Sequence, residues 1–160
     1  MAKAAHRAGF AAAAVTILLS LVPSAQAATP DPGKKIIACM DAADAAGKFA
    51  GGCIGIIQAD CLKPADADPS ACAGKELAFW QGQLDITLKR ATKAVAGYPE
   101  MAKPQSDAQK AWLVFRDKAC AIADHVDPGT MPGGAAACRA EVTAERVFML
   151  RRIVASLEEH

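Results

Sequence analysis

Six cysteines, Cys39, Cys53, Cys61, Cys72, Cys120 and Cys138, are the side chains of this 160-residue chain with the most chemistry open to them. Thiolates attack carbonyls, hold metals or pair with one another. Thirteen, seven, ten, forty-seven and seventeen residues separate them in turn, with no C-x-x-C and no H-x-x-x-H to build a tetrahedral metal site. An even count with that spacing points to disulfides. Three connectivities are open among the first four, of which pairing of sequence neighbours is preferred, and Cys120 with Cys138 is the expected last bridge. Catalysis asks for a nucleophile, a base and an orienting group. The histidines are His6, His125 and His160. His125, between Asp124 and Asp127, reads as a cation at a helix C-terminus. Ser70, Ser106 and Ser156 lie in no G-x-S-x-G elbow, and Asp66 and Asp68 sit in a proline-flanked loop where acids are solvated. No Gly-rich phosphate loop follows a strand. The expectation is a non-enzyme, with no catalytic residues, no metal and no cofactor.

Disulfides need an oxidising compartment, and the N-terminal residues read accordingly. Lys3, His6 and Arg7 precede a charge-free apolar run from Phe10 to Val22, then Pro23 and Ala25-Gln26-Ala27. That is the three-part pattern of a secretory signal peptide, residues 1–27, with a run too short to span a bilayer. Residue 28 is Ala, so no thiol is offered there for lipid attachment. The expected location is the periplasm or outside the cell, with no membrane insertion after cleavage. Removing residues 1–27 takes away two basic and no acidic side chains, so the formal charge falls from +1 to −1. Near-neutral charge with interspersed signs gives no electrostatic basis for a nucleic-acid partner.

The elements that must position these groups all read as helices. A first, Ala-rich one covers about Lys34 to Gly47, with Ile36, Ile37 and Met40 on one side. "CIGIIQADC" reads as a short second helix ended by Pro64. Leu77, Trp80, Leu84, Leu88, Ala91 and Val95 step by three and four along a long third. Gly97, Pro99 and Pro104 read as a break, after which Ser106 and Gln109 form a capping box that starts the fourth. On it Ala108, Trp112, Phe115, Ala119 and Ile122 mark the expected buried direction. A fifth begins near Ala135 and steps through Thr143, Val147, Leu150, Val154 and Leu157. The fold class is all-α: a small disulfide-stabilised bundle with a C-terminal antiparallel hairpin, closed near its mouth by Cys120 and Cys138. Arg116 and Asp117 lie beside Phe115, Arg146 beside Val147 and Glu76 beside Leu77, which predicts one bridging network of Glu76, Arg116, Asp117 and Arg146 at the helix seam.

The stretch "AQKAWLVFRDKAC" from Ala108 to Cys120, followed by Gly129-Thr130, Cys138, the T-x-x-R of Thr143 and Arg146, and Leu150, resembles the LprI-like family. This is a domain of unknown function associated with a lysozyme inhibitor. "CIG", Cys61 and the run from Cys72 through Glu76 to Trp80 are similar to its first half. The resemblance implies an N-terminal helix and linker over 28–52 and an LprI-like domain over 53–157. It also implies a binding protein acting on lysozyme or another envelope protein; a structural or stress-related envelope role is the other reading. The hairpin-tip loop "DPGTMPGG", with Asp127, Gly129, Thr130 and Met131, is then the candidate partner-binding segment. Thr130 and loop backbone N–H groups would face a sugar cleft's carboxylates, and Asp127 its basic rim.

Overall fold

The structure, a computed structural model, describes residues 31–159; the expected signal peptide lies outside the described residues. Five α-helices make up the described residues: α1 (Pro32–Ala45), α2 (Ile56–Cys61), α3 (Pro69–Ala94), α4 (Pro99–Ala121) and α5 (Gly134–Glu158). Short 3-10 turns at Ala50–Cys53, Val95–Gly97 and Ile122–His125 sit between them. No strand occurs among the described residues. Two helices start by the same device. Asp31 and Asp68 are N-caps followed by proline at N1, and their carboxylates accept from Gly33 N at 2.9 Å and Ser70 N at 3.0 Å. The side chain satisfies a free backbone donor while the proline has no N–H to lose.

α3 and α5 run parallel and form the main pair. At one end Gly133 meets Ala73; at the other Arg90 reaches Glu158 at 3.1 Å. Trp80, Leu84 and Ala91 face Ala140, Ala144, Val147, Leu150 and Val154, and α1 adds Ile36 and Met40 to the same core. The alanines let the helices approach closely, and Phe148 fills the space left, edge-on to Trp80 at 5.4 Å and to Phe49 at 5.6 Å between centroids. On α5 the residues stepping through Thr143, Val147, Leu150 and Val154 are all buried, with Leu157 half-buried. α4 returns antiparallel against α5.

Disulfides join Cys39 to Cys53, Cys61 to Cys72 and Cys120 to Cys138, across 14, 11 and 18 residues of chain. The first ties α1 to its following turn, the second α2 to α3, and the third closes the α4–α5 hairpin. Ion pairs reinforce the N-terminal part: Arg151 binds Asp41 at 2.9 Å and Asp44 at 2.6 Å, and Lys35 and Lys63 each sit 2.7 Å from one oxygen of Asp60.

Two expectations need correction, both on α4. Its first residue is Pro99, not one after Ser106. Pro99 fits N1, and Pro104 sits in the exposed opening turns, where the Glu100 carbonyl it leaves unbonded is open to water. Ser106 and Gln109 are therefore interior helical residues. The buried direction is also rotated. Phe115 is exposed and its neighbour Arg116 is buried, because Cys120 must face α5 and a residue four places earlier shares that face.

Two measurements follow. Gly133 has φ +95°, and a Cβ there would lie 2.7 Å from that of Ala73 and 3.0 Å from the Pro69 carbonyl oxygen. Gly133→Ala should cost about 1–3 kcal/mol from backbone strain alone, read as a lower urea midpoint, with the clash adding to it. Hydrogen bonding to Lys35, then to Lys63, holds the Asp60 carboxyl down at about 2, below the usual aspartate range. A depressed folded-state pKa stabilises above the unfolded value and is lost as pH falls through the folded one. The difference in urea midpoint between the parent protein and Asp60→Asn should therefore persist above about pH 4 and vanish as the pH falls to about 2.

Candidate functional site

Glu76 is 1 % exposed and carries three hydrogen bonds. Oε1 accepts from Gly55 N at 2.7 Å and from the Trp80 indole Nε1 at 2.8 Å, while Oε2 accepts from Gln58 N at 2.8 Å. Gly55 is the left-handed N-cap of α2 and has no side chain to satisfy the free donors there. A carboxylate from α3 does so instead, at the positive end of the α2 dipole. Cys61–Cys72 then fixes the other end of α2, so a six-residue helix too short to persist alone is held at both termini.

The second cluster lies between α4 and α5. Arg116 donates from Nε and Nη2 to Asp117 Oδ1 at 2.9 and 2.8 Å, and Arg139 approaches the same oxygen at 3.7 Å. Arg146 donates from Nε to Gln109 Oε1 at 3.1 Å. The guanidinium carbons of Arg116 and Arg146 stand 5.1 and 5.8 Å from the centroid of the Trp112 ring, so one indole on α4 serves a cation from each helix. Burial lowers the pKa of Arg146, since desolvation disfavours its charged form. The single network expected of Glu76, Arg116, Asp117 and Arg146 is thus corrected to two. Glu76 bonds backbone donors and Trp80, because the buried face of α3 is turned toward it and Leu77 is only half-buried. The member that sequence reasoning missed is Gln109, read as half of a capping box. Its signal was its place seven residues before Arg116 on one helical face.

The hairpin loop sits past these clusters. Asp124 Oδ1 accepts from Ala135 N at 2.9 Å and so starts α5, and Gln58 Nε2 donates to Pro132 O at 3.0 Å, fastening the loop to α2. Gly129 and Thr130 are exposed and Met131 is half-buried. The loop N–H groups face inward: Gly129 N donates to Asp127 Oδ1 at 2.6 Å, and Thr130 N and Met131 N to Asp127 O at 2.8 and 3.1 Å. That corrects the expectation of backbone donors offered to a partner, since the Asx turn uses all three. His125 ends the preceding 3-10 turn, exposed, and Asp68 serves as the α3 cap. Among the described residues no group of three or more His, Cys, Asp or Glu side chains is arranged to hold a metal ion, and none of the helices is long and apolar enough to cross a membrane.

Glu76, the Trp112 cluster and the disulfide-closed hairpin loop all lie within the stretch matched by a family profile described as lysozyme inhibitor LprI, residues 59–150. The match spans more than half of the chain. This protein belongs to the LprI family. No curated protein and no solved structure matches it significantly. Within the LprI region lie Glu76, both arginines, the hairpin loop and four of the six cysteines, whereas α1 and the Cys39–Cys53 bridge precede it. α1 nonetheless shares the LprI core through Ile36 and Met40.

The two charge clusters differ in what they support, and substitution separates them. Glu76→Gln turns an amide N–H₂ toward a backbone donor in a dry site and should cost roughly 2–3 kcal/mol. Asp117→Asn removes a half-exposed carboxylate and should cost less than about 1 kcal/mol. Urea titrations with an unchanged slope would measure both.

Proposed function

We propose that this LprI-family protein is exported, performs no reaction, and inhibits lysozyme by presenting its hairpin-loop end to the enzyme. The observation that carries this reading is the rigid anchoring of that loop within the family-matched region. A disulfide, the Asp124 cap and the Gln58 contact fix it from three sides. A segment already ordered loses little entropy on being bound, so more of its contact energy appears as affinity.

The chemistry of that end suits a basic partner. The segments 65–70 and 124–133 contain Asp66, Asp68, Asp124 and Asp127 and no Lys or Arg, and residues of both line one shallow depression with Met131. With the loop N–H groups engaged on Asp127, contact falls to the Thr130 hydroxyl, the Met131 side chain and the surrounding carboxylates. Oriented acids steer a basic partner and raise its association rate, an effect that salt weakens. The three disulfides and the family fit an oxidising, extracytoplasmic location.

Purified, oxidised protein should slow lysozyme-driven clearing of a bacterial suspension, and slow it less at raised ionic strength. Thr130→Ala combined with Met131→Ala should weaken inhibition by roughly tenfold or more, as loss of a contact residue does at a protein interface, with helicity unchanged. Undiminished lysis at high molar excess would remove the inhibitor reading and favour a structural role in the envelope. Full potency in the double variant would remove the loop from it.

A further inference from the structure

Among the described residues ten large apolar side chains are exposed, and seven of them lie on α4, α5 or the 3-10 turn that follows α4, with Val126 directly after that turn. Their arrangement on α4 is ordered. Met101, Ala108, Phe115 and, at the C-cap, Ile122 recur every seven residues, with Pro104 and Ala111 at steps of three and four between the first three and Lys118 in the corresponding place before Ile122, and all seven are exposed. Phe115 is 60 % and Ile122 66 % exposed. This seam lies about 100° around the helix from the line through Gln109, Arg116 and Cys120 that packs on α5. α4 therefore buries its polar, cationic side and turns its apolar side to water. A 3-4 repeat of apolar residues is what one helix presents to another.

We infer that this seam is a docking surface for a second copy of the chain, with the two α4 helices antiparallel about a two-fold axis. Past Met101 at its first position the seam is asymmetric: Pro104, Ala108 and Ala111 are small, and Phe115 and Ile122 after them are large. Antiparallel pairing centred near residue 113 sets Phe115 against Ala111 of the second copy and Ile122 against Pro104, large against small, twice by symmetry. In the same register Lys118 falls beside Asp107 of the second copy, on the same flank of the seam. Asp107 is half-exposed and engages only Lys103 within its own helix. Opposed helix dipoles favour this direction as well.

Charge agrees with this occupant, and size with a reversible pairing. From Met101 to Ile122 the seam is about 32 Å long, and Met149 and Ile153 of α5 widen it beside Met101. A single helix face of that length and roughly 10 Å across gives a footprint of about 320 Å² per partner, the size of a weak, concentration-dependent pairing and below the roughly 800 Å² of a standard interface. The flanking charges balance, with Glu100, Asp107 and Asp117 against Lys103, Lys110 and Lys118, so the seam offers no net basic face to an anionic membrane.

Sedimentation of the mature, oxidised protein over a concentration series should show a monomer–dimer equilibrium. Phe115→Asp and Ile122→Glu should each weaken dimerisation at least about a hundredfold, as a charge placed at an interface centre does, with melting temperatures held because both sites are exposed. Lys118→Glu and Asp107→Lys should each weaken it, because each homodimer then sets like charges together at both contacts, and mixing these two single variants should restore it, because both contacts of the mixed dimer join opposite charges. The double variant should restore it. A protein that stays monomeric at the highest attainable concentration overturns the proposal. So does a dimer indifferent to Phe115→Asp, a double charge variant that remains dissociated, or a monomer whose seam instead binds phosphatidylglycerol vesicles.

Discussion

Three cross-links over short stretches of chain are the constraint on which the rest of this structure depends. A core so rich in alanine buries little apolar surface for each residue it orders, and a domain of this size has a narrow margin between burial and conformational entropy. Closing loops of 11 to 18 residues removes freedom from the unfolded chain, worth about 3 kcal/mol each in the chain-entropy model. Each bridge also does something local. Cys61–Cys72 holds down the C-terminal end of α2 while Glu76 holds the other, so a helix with no buried residue of its own stays in place. Without the bridge, the Glu76 carboxylate would lose the donors that make its burial tolerable.

The hairpin shows a different balance. α4 buries only Arg116 and Cys120, and its contact with α5 is a disulfide at one end and two guanidinium groups against Trp112 further along. Cation–π contacts of this kind tolerate polar surroundings that an aliphatic seam would not. That frees the apolar residues on the far side of α4, Phe115 among them, from any duty in the monomer. The helix is therefore anchored by chemistry on one side and left with an unpartnered apolar side, which a folded monomer has no reason to maintain as a heptad-spaced stripe.

How much of this was legible in the sequence depends on which signal dominated each element. α5 was readable because its aliphatic residues alone set its phase. α4 was misread because Trp112 and Phe115 together suggested a buried direction between them, whereas Cys120, bound to a partner across the hairpin, fixes that direction through Arg116. A bridged cysteine is a better phase marker than an aromatic. Glu76 had a local signal that went unused: it stands four residues before Trp80, whose indole N–H needs an acceptor when buried. Its other two donors come from Gly55 and Gln58, eighteen or more residues away, and no helical pattern announces a cap supplied by a different helix. The opening turns of α4 were hidden by Pro99 and Pro104, which punctuate a sequence as strongly at N1 and in an exposed first turn as they do in a loop.

The loop end and the α4 seam do not compete. The anchored loop lies beyond the C-terminal end of α4, and the seam runs back along the side of that helix. In an antiparallel pair the C-terminal end of one α4 lies by the N-terminal end of the other, so the two loops project at opposite extremes, beyond the two copies of Ile122, which stand about 27 Å apart along the helix axis. Each loop keeps its own approach to a partner, and one assembly displays two. Binding at one end then leaves the other free, and where two lysozyme molecules, or two neighbouring envelope sites, are within reach, the second engagement gains from the first without any new contact. A parallel pairing would bring both acidic loop ends together, adding like-charge repulsion where the loops must stay open. The same electrostatics that suits the loop end to a basic partner thus also favours the direction in which the helices can pair.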